Sequence, residues 1–305
     1  MLFRSLDETV VLTLVTDAGY TAGSPGTQTG TILNDDGATT VYVDDDWAGL
    51  AIGVDPDGAG PATAIGVDAF ATIQAGVNAV ASIGTVNVYA GLYAENVSIT
   101  KSVSVVGVTG AATGGEPDVV IIDPVGGTGI SIDSPASIVG LTNLTVTGAT
   151  NGVSAAGAVA LTLTNMQLTN HTSSGLTSTS SGDMTLNGGT YDGINVSNAD
   201  DVIIGTSGFI ATDNIVIGAQ NSLTINGAVA AGSSTVTLAA NSDQAGSNSL
   251  LISATGSITT TNDTASAVTI TVNSLLGGTG NATITSISAG TTSGVVTIKI
   301  GRAHV

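Results

Sequence analysis

The chain has 305 residues, including 42 glycines and no cysteine, and its four Lys or Arg against 23 Asp or Glu give a formal net charge of −19. Such an acidic chain repels nucleic acids and anionic membranes and favours divalent cations as partners. The lack of cysteine excludes disulfides and thiolate metal sites, and no stretch approaches the ~20 apolar residues of a membrane helix. We therefore expect neither nucleic-acid binding nor membrane insertion.

The first 36 residues have the pattern of a domain whose earlier part is missing. The stretch LDETVVLTLVTDAGYTAGSPGTQTGTILNDD, Leu6–Asp36, combines an acidic-Thr-apolar strand, a Gly-Tyr-x-x-Gly turn and a final strand. It resembles the last third of a Calx-beta domain, a sandwich of on the order of 100 residues. The resemblance implies that Glu8, Asp35 and Asp36 match the acidic calcium-site positions of that family.

An acidic, glycine-containing stretch follows in VDDDWAGLAIGVDPDGAG, residues 43–60. Its aspartates have no basic residue near them in sequence: Asp44, Asp45, Asp46, Asp55 and Asp57. Carboxylates on a flexible loop are the ligands that Ca²⁺ prefers, although the far ligand of an EF-hand loop is absent. Two interpretations stay open, a structural calcium site and a solvated acidic turn with Trp47 packed beneath it. Calcium is the only cofactor that the sequence suggests.

Residues 37–84 read as a linker followed by an N-terminal cap, with a helix predicted over about residues 68–83 in DAFATIQAGVNAVASIG. Asp68 has the position of an N-cap and Gly84 that of a helix terminator. One face of this helix is apolar: Phe70, Ile73, Val77 and Val80. We expect this face to cover the open edge of the structure that follows, since an uncovered sheet edge invites aggregation.

Short alternating runs such as GTVNVYAGLYAENVSITKSVSVVG, residues 84–107, predict a series of strands. Residues 41–107 resemble the N-terminal part of right-handed parallel β-helix proteins of the pectin-lyase-like group, which occur among secreted and surface proteins. The resemblance implies an all-β, right-handed parallel β-helix with a short capping helix, and we assign residues 85–299 to it. It also implies an extracellular or cell-surface location.

Two series of residues recur in step, at spacings of 18 to 23 residues, which predicts coils that each contribute one strand to two sheets. The first series is Ile130, Val153, Leu176, Ile194 and Ile215, and the second is Leu144, Met166, Met184, Val202 and Leu223. After about residue 229 the strands resemble filamentous-haemagglutinin-type adhesin repeats, and the sequence leaves their register open. A string of antiparallel sandwiches is the rival interpretation, but few Asn-Gly or Asp-Gly pairs stand where hairpins need them.

Catalytic candidates are few, and Lys101 is the only Lys or Arg between Ser5 and Ile298. A lyase for acidic polysaccharides needs a basic groove, so lyase chemistry is not expected. A hydrolase needs convergent carboxylates, for which Asp183, Asp200 and Asp201 are the candidates. Because Asn143 and Asn165 precede earlier members of the second series, the alternative is a polar ladder at a coil corner.

Three ring-bearing residues are candidates for ligand binding. Tyr191 and Phe209 each follow a member of the second series by seven residues, which predicts stacking on adjacent coils, either as an exposed sugar platform or as a buried pair. His171 stands in a polar turn with no partner nearby in sequence. We predict no catalytic residue among them.

The segment KIGRAHV, residues 299–305, matches the translation of a common sequencing adapter from Ile300 onward, so we expect Ile300–Val305 to be of that origin. For the chain as a whole we predict a non-enzymatic, elongated scaffold or adhesin-like segment of a bacterial secreted or cell-surface protein, with a surface glycan or a protein as partner. The alternative function is a carbohydrate-active β-helix enzyme.

Overall fold

A computed structural model describes residues 8–13, 19, 27–32, 37–109, 118–124, 126–242, 249–272 and 281–301. The elements up to residue 108 are β1 (Glu8–Thr13), β2 (Thr27–Ile32), β3 (Ala38–Val43), the 3-10 helix η1 (Asp45–Trp47), β4 (Ala69–Phe70), α1 (Ile73–Ala79), β5 (Val80–Tyr89), β6 (Gly91–Tyr93), β7 (Val97–Ile99) and β8 (Val103–Val108).

The elements from residue 120 onward are all strands: β9 (Val120–Ile122), β10 (Thr128–Ile132), β11 (Ile138–Thr142), β12 (Leu144–Thr147), β13 (Asn151–Ala155), β14 (Ala160–Thr169), β15 (Ser174–Ser178), β16 (Met184–Tyr191), β17 (Ile194–Ala199), β18 (Val202–Ile204), β19 (Phe209–Ala211), β20 (Ile215–Ala219), β21 (Leu223–Ile225), β22 (Ala228–Ala230), β23 (Val236–Ala240), β24 (Ser249–Ile252), β25 (Ser257–Thr260), β26 (Val268–Val272), β27 (Asn281–Thr283), β28 (Ile287–Ala289) and β29 (Val296–Ile300). The fold is all-β with stacked parallel sheets, consistent with a parallel β-helix.

Each coil contributes strands to three rows. One row is a nine-stranded parallel sheet that runs from β7 through β10, β13, β15, β17, β20, β23 and β26 to β29. The other two rows are called row A, which contains β11, and row B, which contains β12. They are joined into one sheet because β14 and β16 are long enough to belong to both rows. Row A continues in β18, β21, β24 and β27, and row B in β19, β22, β25 and β28.

The first predicted series is confirmed as one internal column of the nine-stranded sheet. Its members pair in register, each with the next: Ile130, Val153, Leu176, Ile194 and Ile215. The column extends to Val97 on one side and to Val236, Val268 and Val296 on the other. Its residues from Val97 to Val268 are at most 2% exposed, so a buried aliphatic residue fills this position on each of these coils.

The second predicted series is wrong as a single column. Leu144 and Met166 lie in row B, where the next coil places Gly189 opposite Met166. Met184, Val202 and Leu223 lie in row A, beneath Leu161. Gly189 has no side chain, so the apolar pattern of row B is interrupted at this coil. A comparison based only on hydrophobicity therefore aligns Met166 with Met184, although Met184 lies in row A.

The core runs inside the coils as one continuous cluster from Ala38 to Val272. Inward side chains alternate with outward polar ones along most strands, as in β8 and β12. A smaller cluster of Trp47, Ala62 and Ala69 lies outside it, beside η1 and β4. No helix among the described residues is long and apolar enough to cross a membrane.

The predicted helix is shorter than expected, and Asp68 is not its N-cap. Helix α1 spans Ile73–Ala79, and Thr72 caps it by accepting a hydrogen bond from the Ala75 amide at 3.2 Å. The Asp68 carboxylate instead accepts the amides of Thr63 and Ala64 at 3.0 and 2.9 Å, which closes the preceding turn. That turn allows β4 to pair with β3, so Phe70 lies in a strand rather than on the helix.

The end of the helix also differs from the prediction, because Val80 begins β5 and Gly84 lies within that strand. Ile73, Val77 and Val80 are all buried, so three of the four predicted face residues do enter the core. The β-branched residues Val80 and Val86 favour an extended backbone, and pairing of β5 with β3 and β8 stabilises it there.

Strands β1 and β2 form an antiparallel two-stranded sheet with Glu8 opposite Ile32. Asp35 and Asp36, predicted with Glu8 as calcium ligands, lie outside the described residues. Ile300, the first residue of the predicted adapter segment, pairs with Val272 at the end of β29, and residues 302–305 lie outside the described part of the chain.

Candidate functional site

The five aspartates of the acidic stretch are distributed over two local turns. Asp44 caps η1 by accepting the Asp46 amide at 3.1 Å, and Asp45 accepts the Leu92 amide at 3.1 Å. Asp55 accepts the amide of Gly58 at 2.9 Å, and Asp57 accepts that of Ala62 at 3.2 Å. Asp44, Asp55 and Asp57 therefore accept amides of their own turns, as aspartate commonly does, whereas Asp45 binds the backbone of strand β6.

Burial and charge act together on these turns. Burial raises the pKa of the Asp44 carboxyl, the hydrogen bond from the Asp46 amide opposes this increase, and the charges of Asp46 and Asp45 each raise the pKa by a smaller amount. One carboxylate oxygen of Asp45 and one of Asp57 are buried without a hydrogen-bond partner. In the described part of the chain, no three His, Cys, Asp or Glu residues stand close enough together to hold a metal ion.

An aromatic cluster lies beneath the acidic stretch. Trp47 is 7% exposed and meets Tyr89 edge-on at a ring-centroid distance of 5.9 Å, and Tyr42 stacks on Tyr89 at 6.4 Å. Burial raises the pKa of Tyr89, and the charges of Asp57 and Asp44 contribute. This is the packing of Trp47 that the acidic-turn interpretation expects.

The candidate carboxylates Asp183, Asp200 and Asp201 lie at the coil corner that precedes row A, where they bond to the next coil. Asp183 accepts the Asp201 amide at 3.3 Å, and Asp201 in turn accepts the Ser222 amide at 2.8 Å. Asp200 accepts a hydrogen bond from the Asn221 side chain. Asp183 and Asp201 therefore form a ladder of carboxylates that accept backbone amides of the following coil.

The asparagines predicted in the same ladder form a separate one at the corner between rows A and B. Asn165 donates to the Asn143 side-chain oxygen at 2.9 Å. Both have a left-handed backbone, with φ of 50° and 56°, which asparagine tolerates better than most residues. The structure thus has two ladders where the sequence predicted one. The residues of the ladder precede members of the second series, and those members are divided between rows A and B.

Tyr191 and Phe209 are a buried pair and not an exposed platform. Their rings meet edge-on at a centroid distance of 5.5 Å, and the two side chains are 0% and 3% exposed. Tyr191 is in register with Ala211, so Phe209 is its diagonal neighbour rather than its partner across the ladder. Burial raises the pKa of Tyr191, whose hydroxyl donates to the Gly188 carbonyl at 3.3 Å.

His171 has a partner that sequence reasoning missed. Its Nδ1 lies 2.8 Å from Asp192 Oδ1, and its side chain is 0% exposed. The same carboxylate accepts the His171 amide at 2.5 Å. The imidazole edge lies against the α-carbon of Gly152, where an added Cβ would stand 2.8 Å from Nε2. In the sequence, the only indication that His171 and Asp192 meet is that they lie about one coil length apart.

A polar cleft opens beside this pair, at the corner between row B and the nine-stranded sheet. It has a volume of about 450 Å³, with Ser173 and Ser174 on one side, Asp213 and Asn214 on the other, and Gly193 at its floor. We call it the polar cleft. Most of its lining side chains end in hydroxyl, amide or carboxylate groups, so it is built to exchange hydrogen bonds.

The comparison with known proteins adds no relative: no protein-family model, no curated protein and no solved structure matches this chain.

Proposed function

We propose that the chain is a non-enzymatic, elongated scaffold or adhesin-like segment of a bacterial secreted or cell-surface protein, built as a right-handed parallel β-helix. The observation that carries the proposal is the unbroken column from Val97 to Val296, in which every strand of the nine-stranded sheet pairs in parallel with its neighbours. A fold in which each coil contacts only adjacent coils extends in one dimension and presents its surface along its length.

The roles of the acidic side chains support a structural function. Asp183, Asp201 and Asp263 each bind the backbone of a following coil, so these carboxylates hold coils together. A retaining or inverting glycosidase instead needs two carboxylates free to face a substrate. The outward face then remains for binding a partner, for which we propose a surface glycan or a protein.

A polysaccharide panel tests the non-enzymatic part of this proposal. The full chain is incubated with neutral and acidic polysaccharides, and new reducing ends and unsaturated sugars are measured. We expect no release above the background without protein. Release that falls when Asp183 or Asp201 is changed to Asn would overturn the proposal in favour of a glycan-cleaving enzyme.

The proposed location has its own test. Antibodies raised against the chain should label intact cells of the source organism as strongly as permeabilised ones. Labelling that requires permeabilisation would contradict a surface or secreted protein.

We further propose that calcium stabilises the acidic stretch. The buried, unpartnered oxygens of Asp45 and Asp57 are the observation that motivates this, because a bound cation would supply the partner that these two oxygens lack. By the resemblance to a Calx-beta domain, Glu8, Asp35 and Asp36 would form a second calcium-binding group.

Melting the full chain in chelator and in millimolar calcium tests the calcium proposal. We expect a higher midpoint with calcium, a gain that increases with its free concentration and is mostly lost in Asp45→Asn with Asp57→Asn. Asp133→Asn, at an exposed turn, is the matched control and should keep the gain. No gain, or an equal gain with magnesium, would refute specific calcium binding.

A further inference from the structure

The polar cleft exists because neighbouring coils have corners of unequal length. Leu168 and Tyr191 are register partners in row B, and Leu176 and Ile194 are partners in the nine-stranded sheet. The chain between Leu168 and Leu176 is residues 169–175, whereas between Tyr191 and Ile194 it is only Asp192 and Gly193. The shorter corner is therefore recessed beneath the longer one.

The recess is held open by the residues around it. His171, on the longer corner, reaches across the step to Asp192 on the shorter one and pairs with it at 2.8 Å. Gly193 has φ of 111°, a conformation that favours glycine, and an added Cβ there would stand 3.4 Å from the Ser174 hydroxyl. The floor is thus bare backbone, and the space above it is available to a ligand.

The lining side chains define what would fit. On the outer face of the nine-stranded sheet, Thr177 and Asn195 are register partners and both line the cleft, as does Asn151. Asn195, Asp213 and Asn214 are exposed, and Val216, 41% exposed, adds an apolar contact beside Asn195. The cleft thus offers amide donors, hydroxyls and a carboxylate acceptor around one small apolar surface.

The charge of the cleft excludes anions as ligands. None of the lining residues is basic, Asp213 is acidic, and the chain carries a net charge of −19. A volume of about 450 Å³ lies within the ~300–1,000 Å³ range of small-molecule sites. Sugar hydroxyls both accept from amides and donate to carboxylates, while the C–H face of a sugar ring packs on an aliphatic side chain.

We infer that the polar cleft is a binding site for one unit of a neutral saccharide, held without catalysis. A single carboxylate, Asp213, faces the cleft, so it orients a hydroxyl and lacks the second carboxylate that glycoside hydrolysis requires. The inference goes beyond the scaffold role, since the coils would stack in the same way whether or not the cleft were occupied.

Saturation-transfer NMR on the full chain tests the site. The probes are D-glucose, D-galactose, D-mannose and N-acetyl-D-glucosamine, with D-glucuronate as the anionic comparison. We expect transfer to at least one neutral sugar and weaker transfer to glucuronate. No transfer to any neutral sugar, or transfer to glucuronate as strong as to the best neutral sugar, would overturn the inference.

Variants locate the binding. Asn195→Ala and Asp213→Ala should each weaken it by roughly fivefold, since each removes one hydrogen bond worth about 1 kcal/mol. Thr237→Ala is the matched control, because Thr237 follows Val216 in the same outward column but does not line the cleft. Weakening in either cleft variant with the control unchanged supports the site, and unchanged binding in both refutes it. Melting curves confirm that all three variants are folded.

Discussion

Asp263 shows how one side chain connects two coils. Although the residue is exposed, its carboxylate accepts the amides of Thr291, Thr292 and Ser293 at 2.7 to 3.1 Å and the hydroxyls of Thr291 and Thr292. These bonds, led by the one from the Thr292 amide, hold its pKa well below the ordinary value of 3.8. Bonds to the ionised form favour that form.

We predict that the stabilising effect of Asp263 depends on pH. Because its pKa is lowered on folding, its contribution is full above pH 3.8 and is lost as the pH falls through the lower folded value. Asp263→Asn should therefore lower the urea midpoint at pH 7 and at pH 5, with a smaller difference from the wild type at pH 3. Asp133→Asn is the control, and a difference that does not depend on pH would contradict the prediction.

Ile83 is a residue in an unfavourable backbone conformation. Its φ is 65°, in the left-handed region that β-branched residues rarely occupy, and its side chain is 78% exposed. Its amide donates to the Ser102 carbonyl at 2.7 Å, which holds the backbone in place. The side chain therefore adds strain without burying apolar area in return.

We predict that Ile83→Asn stabilises the protein by about 1 kcal/mol, because asparagine adopts the left-handed region at lower cost. The measurement is the free energy of unfolding in urea. Ile138→Asn is the matched control, since Ile138 is 59% exposed in β11 and is not among the residues with positive φ. A gain in both variants, or in neither, would show that backbone strain at Ile83 is not the cause.

At the scale of elements, α1 is the one described α-helix, and it packs against the first strands. Ile73 and Val77 are 1% and 2% exposed, and Gly76 lies so close to β3 that an added Cβ would stand 2.6 Å from a methyl group of Val43. Glu95 accepts the amides of Ile73 and Gln74 at 2.6 and 2.9 Å, which attaches the start of the helix to the chain after β6. These contacts motivate the proposal that α1 covers the first coil.

We predict that Ile73→Asp causes association of the chain, because displacement of α1 would expose the apolar face and edge of the first coil. Asn78→Asp places the same charge on the exposed face of the same helix and is the control. Light scattering should show larger particles for the first variant alone. A monomeric Ile73→Asp with a lowered melting point would mean that the helix contributes stability without protecting an edge.

At the scale of the whole molecule, burial is not uniform along the coils. In β26, Val268 and Ile270 are fully buried, whereas their register partners in β29, Val296 and Ile298, are 38% and 42% exposed. Since each coil is stabilised by its neighbours, coils that bury less apolar area open more easily.

We predict that amide hydrogen exchange is slowest in β13, β15 and β17 and markedly faster in β27 to β29. Mass spectrometry of peptides from the full chain measures this, with β20 and β23 expected to behave like the slow group. Equal rates from β13 to β29 would mean that the coils unfold in one cooperative step.

The register between coils could be predicted from the sequence only where every coil has an apolar side chain at the same position. Ile130 to Ile215 were predicted in register because every one of those coils has an aliphatic residue in that column. The second series failed where Gly189 occupies the position. The helix was predicted too long because Asp68 fits an N-cap pattern as well as Thr72 does, and only the turn around Asp68 distinguishes them.

The candidate sites divide in the same way. For the acidic stretch and the ring pair the sequence leaves two interpretations open, whereas the polar character of the corner ladders was predictable from their Asn and Asp residues. The pairing of His171 with Asp192 and the polar cleft were not, because both arise from a step between corners of different length on successive coils.

The sequence by itself determined that this protein is all-β and acidic, and that coils recur at 18 to 23 residues between Ile130 and Ile215, because period and composition are local properties of the chain. Only the tertiary structure decided that the coils contribute to three rows of strands, which residues meet across coils, and where the corners recede. Those features depend on how residues about one coil apart are aligned, and alignment is set by the sum of contacts between neighbouring coils rather than by any one stretch of sequence.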